Sequence, residues 1–332
     1  MMSETPLLEF KNVTHIFRIG GLISRRRVKA VDDVSFTIPS EKPIIKALVG
    51  ESGSGKTTIA RIILGLLEPT SGEVLYKGRQ IKDWLKKDKL TYLREVQPIF
   101  QDPYSIYNPF YRVERVLKMA LKKLVKKKSE KEIEDAIISA MRDIGLRPED
   151  ILGRYPHQLS GGERQRLMLC RILLIRPKLV IADEPVSMID VSLRAIFLEH
   201  LLSFKEKIGT SCLYITHDLN IAGYIADKIM VLAHGCLVEE GPTKDLIGDP
   251  LHPYTKLLVN SIPNPNPRKR WKEKMILSSE FATLEQVKVE HGCVFHPRCP
   301  YATEKCEKEK PPMIEVEPER KVSCFLYKPE KD

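Results

Sequence analysis

The chain has 332 residues, of which 42% are hydrophobic, and its formal net charge is +10. This length allows one large domain with a smaller appendage, and the apolar content is sufficient for the packed core of an ordinary α/β protein. No apolar run approaches the roughly 20 residues that a bilayer span requires, which argues against an integral membrane protein. Residues 1–6 lack the basic start and apolar middle of a signal peptide, so we expect a cytoplasmic chain.

The positive charge could indicate nucleic acid or an anionic membrane surface as a partner. However, the basic residues are scattered, and their densest groups fall at residues 118–131 and 268–274. The first group is typical of the solvated face of a helix, and the second is typical of a linker. We therefore expect no nucleic-acid partner.

The first predicted elements are strands at residues 7–13 and 31–38, separated by a Gly20-Gly21 turn and a basic segment. Phe17 lies on this hairpin. Its ring could pack in the core or stack on an adenine, and the pattern alone leaves both possibilities open.

A glycine-rich stretch follows the apolar run at residues 44–49 and precedes a helix-like segment at residues 58–67. Glycines let backbone N–H groups curl inward at a helix N-terminus, where the helix dipole favours an anion. The pattern predicts a triphosphate site in which Lys56 reaches the β- and γ-phosphates and the Thr57 hydroxyl holds Mg²⁺. A chance turn is the alternative, but the strand and helix beside it argue against that. The residues concerned are Gly50, Glu51, Ser52, Gly53, Ser54, Gly55, Lys56, Thr57 and Thr58.

A short strand-like run at residues 96–100 ends at Gln101. From residue 113 to residue 144 the apolar residues recur near every 3.6 positions, which indicates helices. We expect a helical subdomain at about residues 102–176, inserted in an α/β core. Within it, the stretch LSGGERQR places Ser160 at a position suited to the N-cap of the next helix.

Two adjacent carboxylates, Asp183 and Glu184, follow a four-residue apolar run that is typical of a buried parallel strand. Open α/β sheets bind ligands at the carboxyl ends of such strands. A later strand ends just before His217, and a pair of strands at residues 228–238 closes the pattern. Because the composition changes after Pro263, we expect domains at residues 6–261 and 262–332.

The stretches GESGSGKT, LSGGERQR and LVIADEP occur in that order over about residues 7–261. Together they resemble the ATP-binding subunits of ATP-binding-cassette (ABC) transporters. This resemblance implies an α/β fold of the P-loop NTPase type, with a RecA-like core, an antiparallel β subdomain and an inserted α-helical subdomain. A small cysteine-containing C-terminal domain would complete the chain.

The same resemblance implies a role for each matching residue. Asp183 would hold Mg²⁺ through its water shell, and Glu184 would act as the general base for the attacking water. Gln101 would approach both Mg²⁺ and this water. His217 would contact the γ-phosphate, and Phe17 would stack on the adenine.

A dimer is also implied, in which two chains enclose two ATP molecules. The residues expected to face the nucleotide of the partner subunit are Ser160, Gly161 and Gly162, with the helix N-terminus directed at the γ-phosphate. Asp190 matches the loop that links the two sites, although Met188 and Ile189 replace its usual Ala and Leu. The second ATPase subunit could be a paralogue or an identical chain.

The tail extends the resemblance to the ATPases of oligopeptide, dipeptide and nickel importers, through residues 251–258 and 292–302. It implies a peripheral subunit at the cytoplasmic face of the membrane, with two transmembrane permease subunits as partners and an extracellular solute-binding protein acting indirectly. Di- or oligopeptides are the expected cargo, with oligosaccharides or nickel as alternatives. A soluble ATPase without a transport role is disfavoured, because only about 100 residues separate the glycine-rich loop from LSGGERQR and one cassette is present.

Seven cysteines without an export signal favour thiols or metal ligands over disulfides. Four of them form a set of soft ligands whose spacing is wider than that of paired zinc knuckles and suits the larger span of a cubane. The resemblance implies a [4Fe–4S] cluster here, with Zn²⁺ or metal-free thiols as alternatives. The remaining three are expected to be core residues. The four are Cys293, Cys299, Cys306 and Cys324, and the three are Cys170, Cys212 and Cys236.

Overall fold

The computed structural model describes residues 5–19, 26–102, 107–125, 129–261 and 291–328. The strands are β1 (Leu8–Ile19), β2 (Arg26–Ile38), β3 (Ile45–Val49), β4 (Ser71–Tyr76), β5 (Arg79–Gln80), β6 (Val96–Ile99), β7 (Leu179–Asp183), β8 (Ser211–Thr216), β9 (Lys228–Ala233), β10 (Cys236–Pro242), β11 (Ile314–Glu317) and β12 (Arg320–Val322). The helices are α1 (Lys56–Ile63), α2 (Ile81–Lys87), α3 (Lys89–Glu95), α4 (Glu114–Ala120), α5 (Glu130–Asp143), α6 (Pro148–Ile151), α7 (Gly161–Ile175), α8 (Val191–Ile208), α9 (Leu219–Ile225), α10 (Thr243–Gly248), α11 (Pro253–Asn260) and α12 (Glu304–Lys308).

The larger sheet has the strand order β11-β12-β10-β9-β3-β8-β7-β6. The strands from β9 to β6 run parallel to one another, whereas β10 is antiparallel to β9. Strands β3, β7 and β8 are buried along their whole length. Burial on both faces explains why these strands are nearly continuous apolar runs. Since β3 and β7 flank β8, the segments that follow β3 and β7 emerge at the same edge of the sheet.

The smaller sheet is antiparallel, with the order β2-β1-β4-β5. Strand β1 continues to Ile19, beyond the expected end at residue 13, because regular pairing with β2 resumes after register shifts between Phe10 and Ile16. Phe17 therefore lies on the strand itself, opposite Val28. The apolar face of this sheet shares a core with α1 and with the larger sheet, so the two sheets are packed as one body.

Between β6 and β7, the described chain from residue 114 onward forms mainly helices. Helix α4 continues into a π-helical turn at Leu121–Val125, and α5 to α7 follow. The apolar positions of the 3.6-residue pattern, including Leu117 and Ile137, are buried together against α7 and α8. This confirms the helical pattern predicted for residues 113–144. Within the described residues, no helix has both the length and the apolarity needed to cross a lipid bilayer.

The tail is joined to the larger sheet through β12, which pairs with β10 at Glu239–Val322 and Glu240–Lys321. A third buried cluster connects β3 to this region through Tyr254 of α11 and Phe295. The expected domain boundary falls at the end of α11, and residues 262–290 lie outside the described part of the chain.

Candidate active site

The loop between β3 and α1 curls around the amine of Lys56. The Lys56 Nζ donates to the backbone oxygens of Gly50 (2.7 Å) and Glu51 (2.8 Å). Burial lowers the pKa of this amine, while the carboxylates of Glu184, Asp183 and Glu51 oppose that shift. The side chain is thus held at the N-terminus of α1, where the helix dipole already favours a phosphate.

Two glycines of this loop have neighbours that leave no room for a side chain. A Cβ at Gly55 would lie 2.1 Å from the backbone oxygen of Ala30, and its φ of 106° belongs to the left-handed region. A Cβ at Gly50 would lie 2.1 Å from the backbone oxygen of Leu232. These approaches explain why the loop requires glycine at both positions.

A pocket of about 440 Å³ opens over the loop, between the two sheets. It brings together the loop, the predicted adenine-stacking ring and two of the predicted catalytic side chains. Its lining consists of Phe17, Ala30, Ser52, Gly53, Gly55, Lys56, Thr57, Thr58, Gln101 and Glu184.

Asp183 is the last residue of β7, and the Thr57 hydroxyl faces its carboxylate. Burial raises the pKa of Asp183, and the Glu184 charge adds to this effect, whereas the Thr57 hydroxyl and the Lys56 amine oppose it. A hydroxyl and a carboxylate in contact are oxygen ligands of the kind that Mg²⁺ prefers.

Glu184 is the centre of a hydrogen-bonded group that combines three of the predicted residues. Its Oε2 accepts from Gln101 Nε2 at 3.4 Å, and its Oε1 lies 3.1 Å from His217 Nδ1. The backbone of Glu184 has a φ of 45°, and its N–H donates to the oxygen of Ile215 at 2.9 Å. The structure therefore directs this carboxylate toward the pocket from an unusual backbone conformation.

The LSGGERQR stretch begins α7 as predicted. The Ser160 hydroxyl accepts from the Glu163 N–H at 3.2 Å, and the Glu163 carboxylate accepts from the Ser160 N–H at 2.7 Å, which forms a capping box. Ser160 is exposed, and Gly162 lies against Leu193 of α8. The structure does not bring Ser160, Gly161, Gly162 or Asp190 to the lining of the pocket in the same chain.

Two supports of the loop were not anticipated from the sequence. Ala30 of β2 approaches Gly55, as described above, and the Gly235 N–H donates to the Ser54 oxygen at 2.8 Å from the turn between β9 and β10. Both residues come from distant elements, and both of these contacts are made through backbone atoms. No local pattern in the sequence could have identified them.

The four tail cysteines, Cys293, Cys299, Cys306 and Cys324, line one further pocket together with Phe295, Tyr301 and other tail residues. Burial raises the pKa of each of Cys293, Cys299 and Cys324, that of Cys293 to about 11. Across the described ranges, no three side chains are gathered closely enough to hold a single metal ion.

The other three cysteines are buried in the core, as predicted. Burial raises the pKa of each thiol to about 12, so they are protonated at neutral pH. They are Cys170 of α7, Cys212 of β8 and Cys236 of β10.

Comparison with known proteins identifies two matching family models. One is described as ABC transporter and covers residues 31–187, and the other is described as oligopeptide/dipeptide transporter, C-terminal region, and covers residues 238–306. The dipeptide transport ATP-binding protein DppF of Haemophilus influenzae is 37% identical over 97% of this chain and 97% of its own length. The putative oligopeptide transport ATP-binding protein YkfD of Bacillus subtilis is 38% identical, over 98% and 97% respectively.

Solved structures share the fold of the nucleotide-binding part. A dimeric ATP-binding cassette in a post-hydrolysis state, bound to ADP and phosphate, is 25% identical with a TM-score of 0.61, over 71% of this chain and 98% of that chain. An ATP-binding subunit of an ABC transporter is 28% identical with a TM-score of 0.59, over 72% and 91%.

The close approach of β2 to the loop generates a test of the pocket. We expect Gly55→Ala to weaken MgATP binding by at least about tenfold, because the new methyl group meets the rigid Ala30 backbone and forces the loop to move. Titration with a fluorescent ATP analogue would measure this. Gly248→Ala, which meets no atom within 4 Å, is the matched control and should bind like the parent. Equal affinity of all three proteins would contradict the assignment of the loop.

Proposed function

We propose that this chain, which belongs to the ATP-binding subunits of ABC transporters and is therefore an ATPase, energises the import of di- or oligopeptides. The observation that carries the proposal is the group formed by Glu184, Gln101 and His217 beside the glycine-rich loop. The peptide cargo is inferred from the tail, which matches the oligopeptide/dipeptide C-terminal family model, and from the names of the relatives.

In the proposed reaction, Lys56 and the backbone N–H groups of the loop bind the β- and γ-phosphates. Thr57 and Asp183 would hold Mg²⁺, which neutralises charge on the phosphates. Glu184 accepts a proton from the attacking water, while Gln101 and His217 keep its carboxylate in place. Phe17, at the rim of the pocket, offers a ring face to the adenine.

A second chain is needed to complete each site. Helix α7 presents an exposed N-terminus at Ser160, but that end does not line the pocket of its own chain. We infer that it covers the γ-phosphate in a partner subunit, which fits an exposed Met188 (59%) on the loop before Asp190. The partner is an identical chain or a paralogue, and ATP closes the pair whereas hydrolysis releases it.

Glu184→Gln tests the catalytic assignment and the dimer together. The amide keeps the size of the side chain but cannot accept the proton, so turnover should fall by at least about a hundredfold while MgATP binding persists. With MgATP, the variant should accumulate as dimers in size-exclusion chromatography with light scattering. Glu206→Gln, an exposed change on α8, is the control and should hydrolyse ATP like the parent. ATPase activity near that of the parent would remove Glu184 from catalysis.

Three exposed apolar side chains follow Gln101 in the sequence, at the start of the helical segment. They are Phe110, which is 83% exposed, and Tyr111 and Met119, each 43% exposed. Apolar side chains exposed on a surface can mark an interaction site. We propose that Phe110 and its neighbours in the sequence contact the transmembrane permease subunits, which would allow a change at Gln101 to be transmitted to the pore.

Phe110→Ser would test this contact. Because the ring is solvent-exposed in the free chain, the variant should keep its unfolding temperature and its MgATP affinity. Its affinity for co-expressed permease subunits should fall by about thirtyfold, the scale of a lost interface anchor. Tyr224→Ser, which alters an exposed residue of α9, is the control. Unchanged co-purification of the Phe110 variant would place the contact elsewhere.

We also propose that the four-cysteine pocket holds a [4Fe–4S] cluster. The four thiols line one pocket beside the buried Phe295. A donor set of four thiolates is the one that such clusters use. When bound, the cluster would cross-link four separate tail segments, which suits a region with few core residues of its own.

Chemical analysis of anaerobically purified protein tests the cluster. We expect about four iron atoms and as many labile sulfides per chain, and Cys324→Ser should lose both. Cys170→Ala, which alters a core thiol outside the pocket, is the control and should retain them. Stoichiometric zinc would favour the zinc alternative, and the absence of both metals would favour free thiols.

A further inference from the structure

Glu51, the second residue of the phosphate loop, is in contact with the tail of the chain. The Arg298 Nη1 lies 3.3 Å from the Glu51 carboxylate, although 247 positions separate the two residues. The Glu51 N–H donates to the Tyr254 hydroxyl at 3.1 Å, and its backbone oxygen accepts from Lys56. One loop residue is therefore held by Lys56 on one side and by α11 and the tail on the other.

The Arg298 side chain is fixed in place. It follows a 3₁₀ turn, His296–Arg298, in which the Arg298 N–H donates to the Phe295 oxygen at 3.0 Å. Its guanidinium lies 5.7 Å from the centre of the buried Phe295 ring, and only 13% of the side chain is exposed. Because its conformation is set by packing, little entropy is lost when it pairs with Glu51.

Tyr254 is anchored equally well. It is buried at the start of α11, and its ring packs 5.4 Å from that of Phe295. The segment before it is held by Glu239 of β10, whose carboxylate accepts from the N–H groups of Leu251 (2.9 Å) and His252 (2.8 Å). The hydroxyl of Tyr254 is thus a rigid acceptor at the loop.

The charge of Glu51 gives these contacts a consequence for ATP. A carboxylate on the phosphate loop repels the phosphates of the nucleotide unless a cation neutralises it. His234 also faces Glu51, but burial lowers its pKa, so the imidazole is neutral at pH 7. Arg298 is the cation that the structure places on this carboxylate.

We propose that Arg298 and Tyr254 are positioning residues for ATP binding. Arg298 neutralises Glu51 and draws its carboxylate toward the tail, and Tyr254 orients the first peptide of the loop. The tail is thereby a functional part of the nucleotide site. This inference rests on the loop being the ATP site, as proposed above.

The test compares four full-length proteins: the parent, Arg298→Gln, Glu51→Gln and the double variant. MgATP dissociation constants are measured by titration at low and at high salt. At low salt Arg298→Gln should bind about threefold more weakly than the parent, the scale of a partly exposed ion pair, and high salt should reduce this difference. In the Glu51→Gln background the same change should have no effect, because no carboxylate remains to be neutralised.

Three further variants separate positioning from general loosening of the tail. Lys310→Gln removes another contact between the tail and the nucleotide-binding part, the pair with Asp32 at 3.4 Å, and Tyr327→Phe removes a hydroxyl bound to the Leu251 oxygen at 2.9 Å. Both should bind MgATP like the parent, whereas Tyr254→Phe should bind more weakly at an unchanged unfolding temperature.

The inference is overturned if Arg298→Gln weakens binding equally in both backgrounds, if it has no effect, or if Lys310→Gln weakens binding as much. Failure of the parent to bind MgATP would instead overturn the proposed function. The two failures are therefore distinguishable.

Discussion

The phosphate loop depends on backbone atoms approaching one another more closely than side chains allow. Gly50 lies against the Leu232 carbonyl of β9 and Gly55 against the Ala30 carbonyl of β2, at distances where even a methyl group would collide. These contacts determine the curvature of the loop, and that curvature determines where Lys56 and the N–H groups of α1 are directed. The chemistry of the site thus rests on the packing of two sheets against one loop.

The site also requires the phosphate loop and the carboxylates of Asp183 and Glu184 to lie close together, and the strand order of the larger sheet brings this about. Strand β8 separates β3 from β7, and its Ile215 oxygen accepts the N–H of Glu184. Glu184 adopts a left-handed backbone conformation that costs roughly 1–3 kcal/mol in a residue other than glycine. The hydrogen bonds to Ile215, Gln101 and His217 offset this cost and hold the carboxylate at the pocket.

The sequence was informative wherever function depends on a local pattern. The glycine-rich loop, the carboxylates after a buried strand and the N-cap at Ser160 are all encoded within about ten residues, and the structure has each of them as predicted. Contacts between distant elements were not predictable. The support of the loop by Gly235, Tyr254 and Arg298 arises only when β10, α11 and the tail fold against β3, and each contact uses an ordinary residue type at an unremarkable position.

The residues expected to act in the site of a partner subunit lie outside the pocket of their own chain. Ser160 and Asp190 were selected by resemblance, and in the single chain they stand apart from the pocket. Their assignment therefore depends on family membership and on the exposed surface that carries them. By contrast, Gln101 and His217 are placed against Glu184 within the chain itself, so geometry supports them directly.

The way in which the tail joins the larger sheet affects whether molecules can associate through the edge of that sheet. Without β12, the side of β10 that faces away from β9 would be an open sheet edge at Glu239 and Glu240, and it could recruit a strand from another molecule. The tail replaces that border with β11, which is only four residues long and carries Glu315 and Glu317 on its exposed side. A short edge strand presents few unpaired backbone groups to another molecule, so this small extension should also limit edge-to-edge association of the sheet.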